Sequence, residues 1–151
     1  MLTLVARFDV QIDEDDILTK FGLEDHGPVQ MLIDQRVKDY CRDGGYVPAS
    51  PERALETSAD SATEIGSGEV IWDTPYARYQ YYGLLMTDEN GRTWVREGEK
   101  KPIIHEDRPL KYDKGTNGNA GARWFDRMKA DHGDDIVEEA RNYVRRGGRS
   151  T

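Results

Sequence analysis

The sequence has a single cysteine, Cys41, which excludes an internal disulfide and any zinc site built from several thiolates. Large aliphatic and phenylalanine side chains are scarce, with Leu, Ile, Val and Phe contributing 29 of 151 residues. Together with a net charge of −8, that places the composition near the border of the disordered class. No apolar run approaches the roughly 20 residues of a membrane-spanning helix. The start does not resemble a secretion signal, because Arg7 and Asp9 interrupt its apolar residues, so a soluble protein made in the cytoplasm is expected. A concentrated excess of cations is missing as well. Residues 1–75 hold 16 acids and 6 bases, while residues 76–151 hold 13 and 15, a division that disfavours a free DNA-binding domain and suits self-association or an unlike partner.

What is present is patterned. Residues 2–12 alternate apolar and polar as a half-buried strand does. The acidic run Asp13–Asp16 suits the start of a short helix that Gly22 closes. Gly27-Pro28 opens a second helix with Val29, Leu32, Ile33, Val37 and Tyr40 on one stripe, ended by Gly44-Gly45 with Cys41 half-buried near its end. Residues 46–62 read as a long exposed loop with at most one helical turn. Glu64–Trp72 reads as a hairpin about Gly66-Ser67-Gly68, and Leu84–Val95 as another about Asn90-Gly91. Pro102–Tyr112 is a further extended piece, and Gly115–Gly121 a flexible connector. A helix then runs from about Ala122 on Trp124, Phe125 and Met128, and Gly133 is expected to bend or interrupt it before Ile136. The fold class is therefore α+β: a small, mainly antiparallel β-sheet packed by a helix of the N-terminal half and a long C-terminal helix. One domain over residues 1–144 and a flexible basic tail over 145–151 are expected.

Chemistry-bearing patterns are weak. His105-Glu106-Asp107 points to alternating sides of an extended chain, and Asp131-His132-Gly133-Asp134-Asp135 is explained as a helix start. The glycines before the last helix lack the lysine and hydroxyl of a phosphate-binding loop. No catalytic residue, metal ligand or cofactor is expected. The segment that stands out is Val70–Gly83. Thr74 can cap and Pro75 begin a short helix that Gly83 closes, and Tyr76, Tyr79, Tyr81 and Tyr82 point around more sides than one small core can cover. Tyrosines left outside serve as rigid amphipathic anchors for a protein interface.

In three stretches the chain resembles the minor capsid protein family of tailed bacteriophages, small neck or tail-completion proteins. These are Tyr46-Val47-Pro48, then Trp72-Asp73-Thr74-Pro75-Tyr76-Ala77-Arg78-Tyr79-Gln80-Tyr81-Tyr82-Gly83, then Trp124-Phe125-Asp126-Arg127-Met128-Lys129-Ala130 with His132. The resemblance implies a structural virion protein without catalytic activity, forming a homo-oligomeric ring at the head–tail junction between connector and tail proteins. DNA would only pass through its channel, and no membrane is involved. The implied interface or core residues are Trp72, Thr74, Pro75, Tyr76, Ala77, Arg78, Tyr79, Gln80, Tyr81, Tyr82, Gly83, Trp124 and Phe125. Two alternatives belong to other classes: a nucleic-acid-associated module using Arg141, Arg145, Arg146 and Arg149, and a small metal-dependent hydrolase using the His132 cluster.

Overall fold

In the computed structural model, residues 3–8, 26–74, 77–92 and 103–147 are described. The expected short helix at 13–22, the outer parts of the first strand, and residues 93–102 and 148–151 lie outside them.

The alternation near the N-terminus becomes strand β1, Leu4–Arg7, which buries Leu4 and Ala6, with Phe8 buried just beyond it. Helix α1, Pro28–Asp43, starts at its proline and buries Val29, Ile33, Val37 and Cys41, a strict four-residue spacing along one face. Cys41 is fully buried rather than half-buried, and burial drives its thiol pKa upward. Gly44 closes the helix. A Cβ there would come within 2.7 Å of the Tyr46 ring and 2.6 Å of the Tyr40 carbonyl, so Tyr46 can fold back only over a glycine.

Residues 46–62 are not an exposed loop. Tyr46, Val47 and Pro48 are buried, a 3-10 turn covers Pro51–Arg53, and helix α2 spans Ala54–Ala62. Ser50 organises the start: its carbonyl accepts the Arg53 N–H at 2.9 Å and its hydroxyl the Leu55 N–H at 2.9 Å. Helix α2 buries Leu55, Ser58 and Ala59, together with Glu56, which Arg53 pairs at 3.0 Å, so small and polar residues replace the bulky periodicity that marks a core helix.

Nor is 64–72 a hairpin. Strand β2, Glu69–Trp72, pairs antiparallel with β1, with Leu4 opposite Trp72 and Arg7 opposite Glu69. Residues 65–68 are a turn between α2 and β2, and their amide groups go to a side chain of α1: Asp34 accepts the N–H of Gly66 at 2.8 Å and of Gly68 at 3.0 Å. On the other edge of β2, the Thr63 hydroxyl accepts the Ile71 N–H at 2.9 Å, standing in for a neighbouring strand.

After the short helix α3, Ala77–Tyr82, strand β3, Leu84–Thr87, pairs antiparallel with β4, Ile103–Pro109, with a bulge between Leu84 and Leu85. The turn expected at Asn90-Gly91 is present, Asp88 and Arg92 closing it. Among the described residues β3 finds its partner in 103–109, while 93–95 lie outside. The fold is thus α+β, and among the described residues its antiparallel structure is divided between two two-stranded sheets.

Helix α4, Trp124–Arg145, runs unbroken through Gly133. It packs antiparallel to α1, because the contacts pair rising numbers on one helix with falling numbers on the other: Arg36 and Tyr40 with Glu139, Tyr40 with His132, Tyr46 with Asp131. Gly133 is buried where α4 passes Phe8, and a Cβ would lie 3.7 Å from the Phe8 ring and 3.5 Å from Lys129 Cγ, ordinary contact distances. Since glycine costs a helix interior about 0.5–1 kcal/mol relative to alanine, Gly133→Ala is expected to stabilise the protein by about that amount. A lowered melting temperature would show that the Phe8 contact leaves no room for a methyl group.

The loop 115–121 is pinned rather than a free connector. Asn117 donates to the Val47 carbonyl at 2.9 Å and Asn119 to that of Gly44 at 2.8 Å, closing the loop over the end of α1. At the other end, α4 reaches Arg145, and the Gly147 N–H bonds the Val144 carbonyl.

Candidate functional site

The motif that stood out in the sequence is built around α3. Thr74 accepts the Ala77 N–H through its main-chain carbonyl at 3.0 Å, and Pro75 and Tyr76 lie outside the described residues. Gly83 closes the helix in a left-handed conformation, φ +71°, with its N–H on the Tyr79 carbonyl. A Cβ at Gly83 would sit 2.8 Å from Ala122 Cβ and 3.0 Å from the Tyr112 hydroxyl, so the chain before α4 packs directly on this turn. Three further bonds hold it there: Leu110 N–H to Gly83 O at 2.8 Å, Arg123 N–H to Tyr81 O at 2.8 Å, and the Tyr112 hydroxyl to Gln80 O.

This scaffold divides the motif into an inner and an outer half. Trp72, Ala77, Tyr81, Trp124 and Phe125 are core residues. Their rings meet edge to face, Trp72 with Trp124 at 5.7 Å and Tyr81 with Trp124 at 4.8 Å. Thr74, Tyr79 and Gln80 are half-buried. Arg78 and Tyr82 are exposed; the Arg78 guanidinium stands 5.8 Å from the Tyr82 ring centroid and that of Arg123 4.8 Å, so two cations flank one surface aromatic. Tyr81 meets Tyr82 edge-on at 5.5 Å and joins the outer half to the core.

Arg123 gives no sign of this role in the sequence, because what places it is its backbone. It is the residue before α4 and adopts the left-handed conformation, φ 55°, uncommon for a residue with a side chain. Arg127, one turn on, turns inward: its guanidinium donates to Ala122 O at 2.8 Å and to Asn119 O at 2.6 Å, and its buried Nη2 has no partner among the described residues.

The His132 cluster is not a helix start. It lies inside α4, with His132 stacked on Tyr40 at 4.7 Å, edge-on to Tyr46 at 6.0 Å, and 3.2 Å from Asp135. His105 pairs with Thr87 across β3 and β4 at 2.8 Å. Among the described residues no group of three or more His, Cys, Asp or Glu side chains is placed to hold a metal ion. Arg141, Arg145 and Arg146 are exposed on or just after the last turns of α4, and Arg149 lies outside the described residues.

The phenols carry a pH signature. Burial, and then the hydrogen bond to Asp131, push the Tyr46 hydroxyl up to about 12, and burial does the same for Tyr112, against the opposing charge of Arg127. Tyr81 is also raised, by burial first and the Asp126 carboxylate second. A phenol whose folded pKa exceeds its unfolded value contributes stability that is complete below about pH 10 and is lost as pH rises through the folded value. Alkaline unfolding is therefore expected to set in above about pH 10 and run toward 12, with the phenolate absorbance of these three tyrosines appearing together with loss of helix. Full ionisation of all eight tyrosines with helical structure intact would contradict it.

Comparisons of the chain with protein-family models, with curated proteins and with solved structures find no match.

Proposed function

We propose that this protein is a structural component of a tailed-phage virion, working at the head–tail junction as a neck or tail-completion subunit. It assembles with copies of itself into a ring and bridges connector and tail proteins, without catalysis and without a cofactor. The resemblance of the Trp72–Gly83 and Trp124–Ala130 stretches to minor capsid proteins supports the reading on the side of sequence. The observation that carries it on the side of structure is the division of that motif: Trp72, Tyr81 and Trp124 stabilise the fold, while Tyr82 and Arg78 remain on the surface as an aromatic–arginine pair. Tyr and Arg are the residue types in which interface energy concentrates. The unequal charge of the two halves suits a subunit whose two sides meet different surfaces.

Sizing of the purified chain, alone and mixed with the products of its genomic neighbours, tests the reading, with negative-stain images of any large species. Rings, or a complex with a connector or tail protein, are the expected result. A chain that stays monomeric in every mixture would overturn it.

A further inference from the structure

The surface aromatic–arginine cluster and the middle of α4 carry opposite charges that cannot meet within one chain. Arg78 is exposed with no carboxylate partner among the described residues, and Arg123 has only Asp126 at 3.8 Å, beyond good hydrogen-bond length. On α4, Asp134 and Glu138 are exposed, four residues apart on one stripe, and neither engages a cation among the described residues; Arg141 stands three residues on without closing an ion pair. Like charges at that spacing repel and weaken a helix. From Arg123 to Asp134 is eleven residues, about 16 Å along the axis, more than twice what an arginine side chain spans. Each copy therefore holds an unsatisfied cationic patch and an unsatisfied carboxylate pair on separate parts of its surface.

We propose that the occupant of the Arg78–Tyr82–Arg123 patch is the Asp134–Glu138 ridge of a second copy of this chain, joined head to tail. The inference rests on the ring reading above and names the contact that would build it. Tyr82 lies within cation–π distance of both guanidinium groups and holds them near one another, and their donors can bind a carboxylate through planar, charge-assisted hydrogen bonds. The left-handed backbone of Arg123 is what brings its guanidinium over that ring, and a residue held in such a conformation is a feature that structure elsewhere must sustain. Because patch and ridge are different surfaces, the contact is heterologous, and repetition of it closes into a ring when the rotation per copy permits. The complementarity sets orientation and excludes patch-to-patch encounters.

The test uses two full-length charge reversals, Arg78→Glu with Arg123→Glu, and Asp134→Arg with Glu138→Arg, each first checked for a wild-type circular dichroism spectrum. Sedimentation is followed at low salt and millimolar concentration. Each variant alone is expected to lose self-association by about tenfold or more, and an equimolar mixture to regain it, since the reversed surfaces complement each other. Tyr82→Ala, which leaves every charge in place, should weaken it as well. Wild-type assemblies that both reversals leave unchanged would overturn this contact and leave the ring reading standing. A wild-type chain monomeric under these conditions and with its neighbours would overturn both, and a wild-type species that stops at a two-fold dimer would overturn the head-to-tail geometry.

Discussion

Trp72→Ala is expected to cost about 3–5 kcal/mol, the range for emptying an aromatic site that cannot collapse. Trp72 is 1% exposed, sits opposite Leu4 in the β1–β2 ladder, and meets the Trp124 ring edge-on at 5.7 Å. Trp124 in turn meets Tyr81 at 4.8 Å, so the three rings join the first sheet, α3 and the start of α4 in one packed unit. Truncation at Trp72 leaves a void that neither partner can fill, because Trp124 is held by the helix it begins and Tyr81 by the turn that Gly83 closes. Against a total stability of about 5–15 kcal/mol for a domain, the loss is a large fraction of the whole. Urea unfolding followed by circular dichroism measures it, and a midpoint near that of the wild type would remove Trp72 from the core. A second consequence concerns the surface: Arg123 immediately precedes Trp124, so a loosened Trp124 should loosen the guanidinium over Tyr82 and weaken any assembly that depends on it.

The elements that were legible in the sequence are those whose burial is carried by large side chains at regular spacing. Val29, Ile33 and Val37 announce α1, and Trp124, Phe125 and Met128 announce α4. Helix α2 was not legible, because Leu55 is the one large apolar residue of its buried face and Ser58 and Ala59 pack through smallness. Local propensity marks Gly133 as a break, which tertiary packing of α4 against α1 and Phe8 overrides. The loop 115–121 looked like a connector because its anchors are the two asparagines, whose targets on Gly44 and Val47 lie some seventy residues earlier in the chain. In the candidate site, the crowding of tyrosines singles out Tyr82, and the family resemblance singles out Arg78. Arg123 is singled out by neither, since its part depends on a backbone conformation that no spacing encodes.

Asp34 shows the same limit most sharply, and it carries the second large effect. On the pattern of α1 it stands beside Ile33 as an unremarkable polar residue, yet it is 2% exposed. One carboxylate oxygen accepts the N–H groups of Gly66 and Gly68, and the other accepts the Gln30 amide at 2.8 Å. The turn it holds has two glycines at positive φ, +101° and +84°, and a Cβ at Gly66 would approach His26 Cα to 2.9 Å, so the loop has no alternative arrangement close by. Hydrogen bonds to a charged group are worth about 1.5–3 kcal/mol each, and a buried donor left without its acceptor costs its full desolvation. Asp34→Ala is accordingly expected to destabilise the protein by about 3–5 kcal/mol. Asp34→Asn separates charge from geometry: its one carbonyl oxygen can take both glycine N–H bonds, and Gln30 can turn its amide to present oxygen, so the loss should be about 1 kcal/mol. Equal losses for the two variants would mean that the charge, rather than the placement of an acceptor, holds the turn. A negligible loss for alanine would mean that water replaces the carboxylate. Because this turn delivers the chain into β2 and so positions Trp72, the alanine variant should also expose the tryptophan core, read as a red shift of its fluorescence before global unfolding.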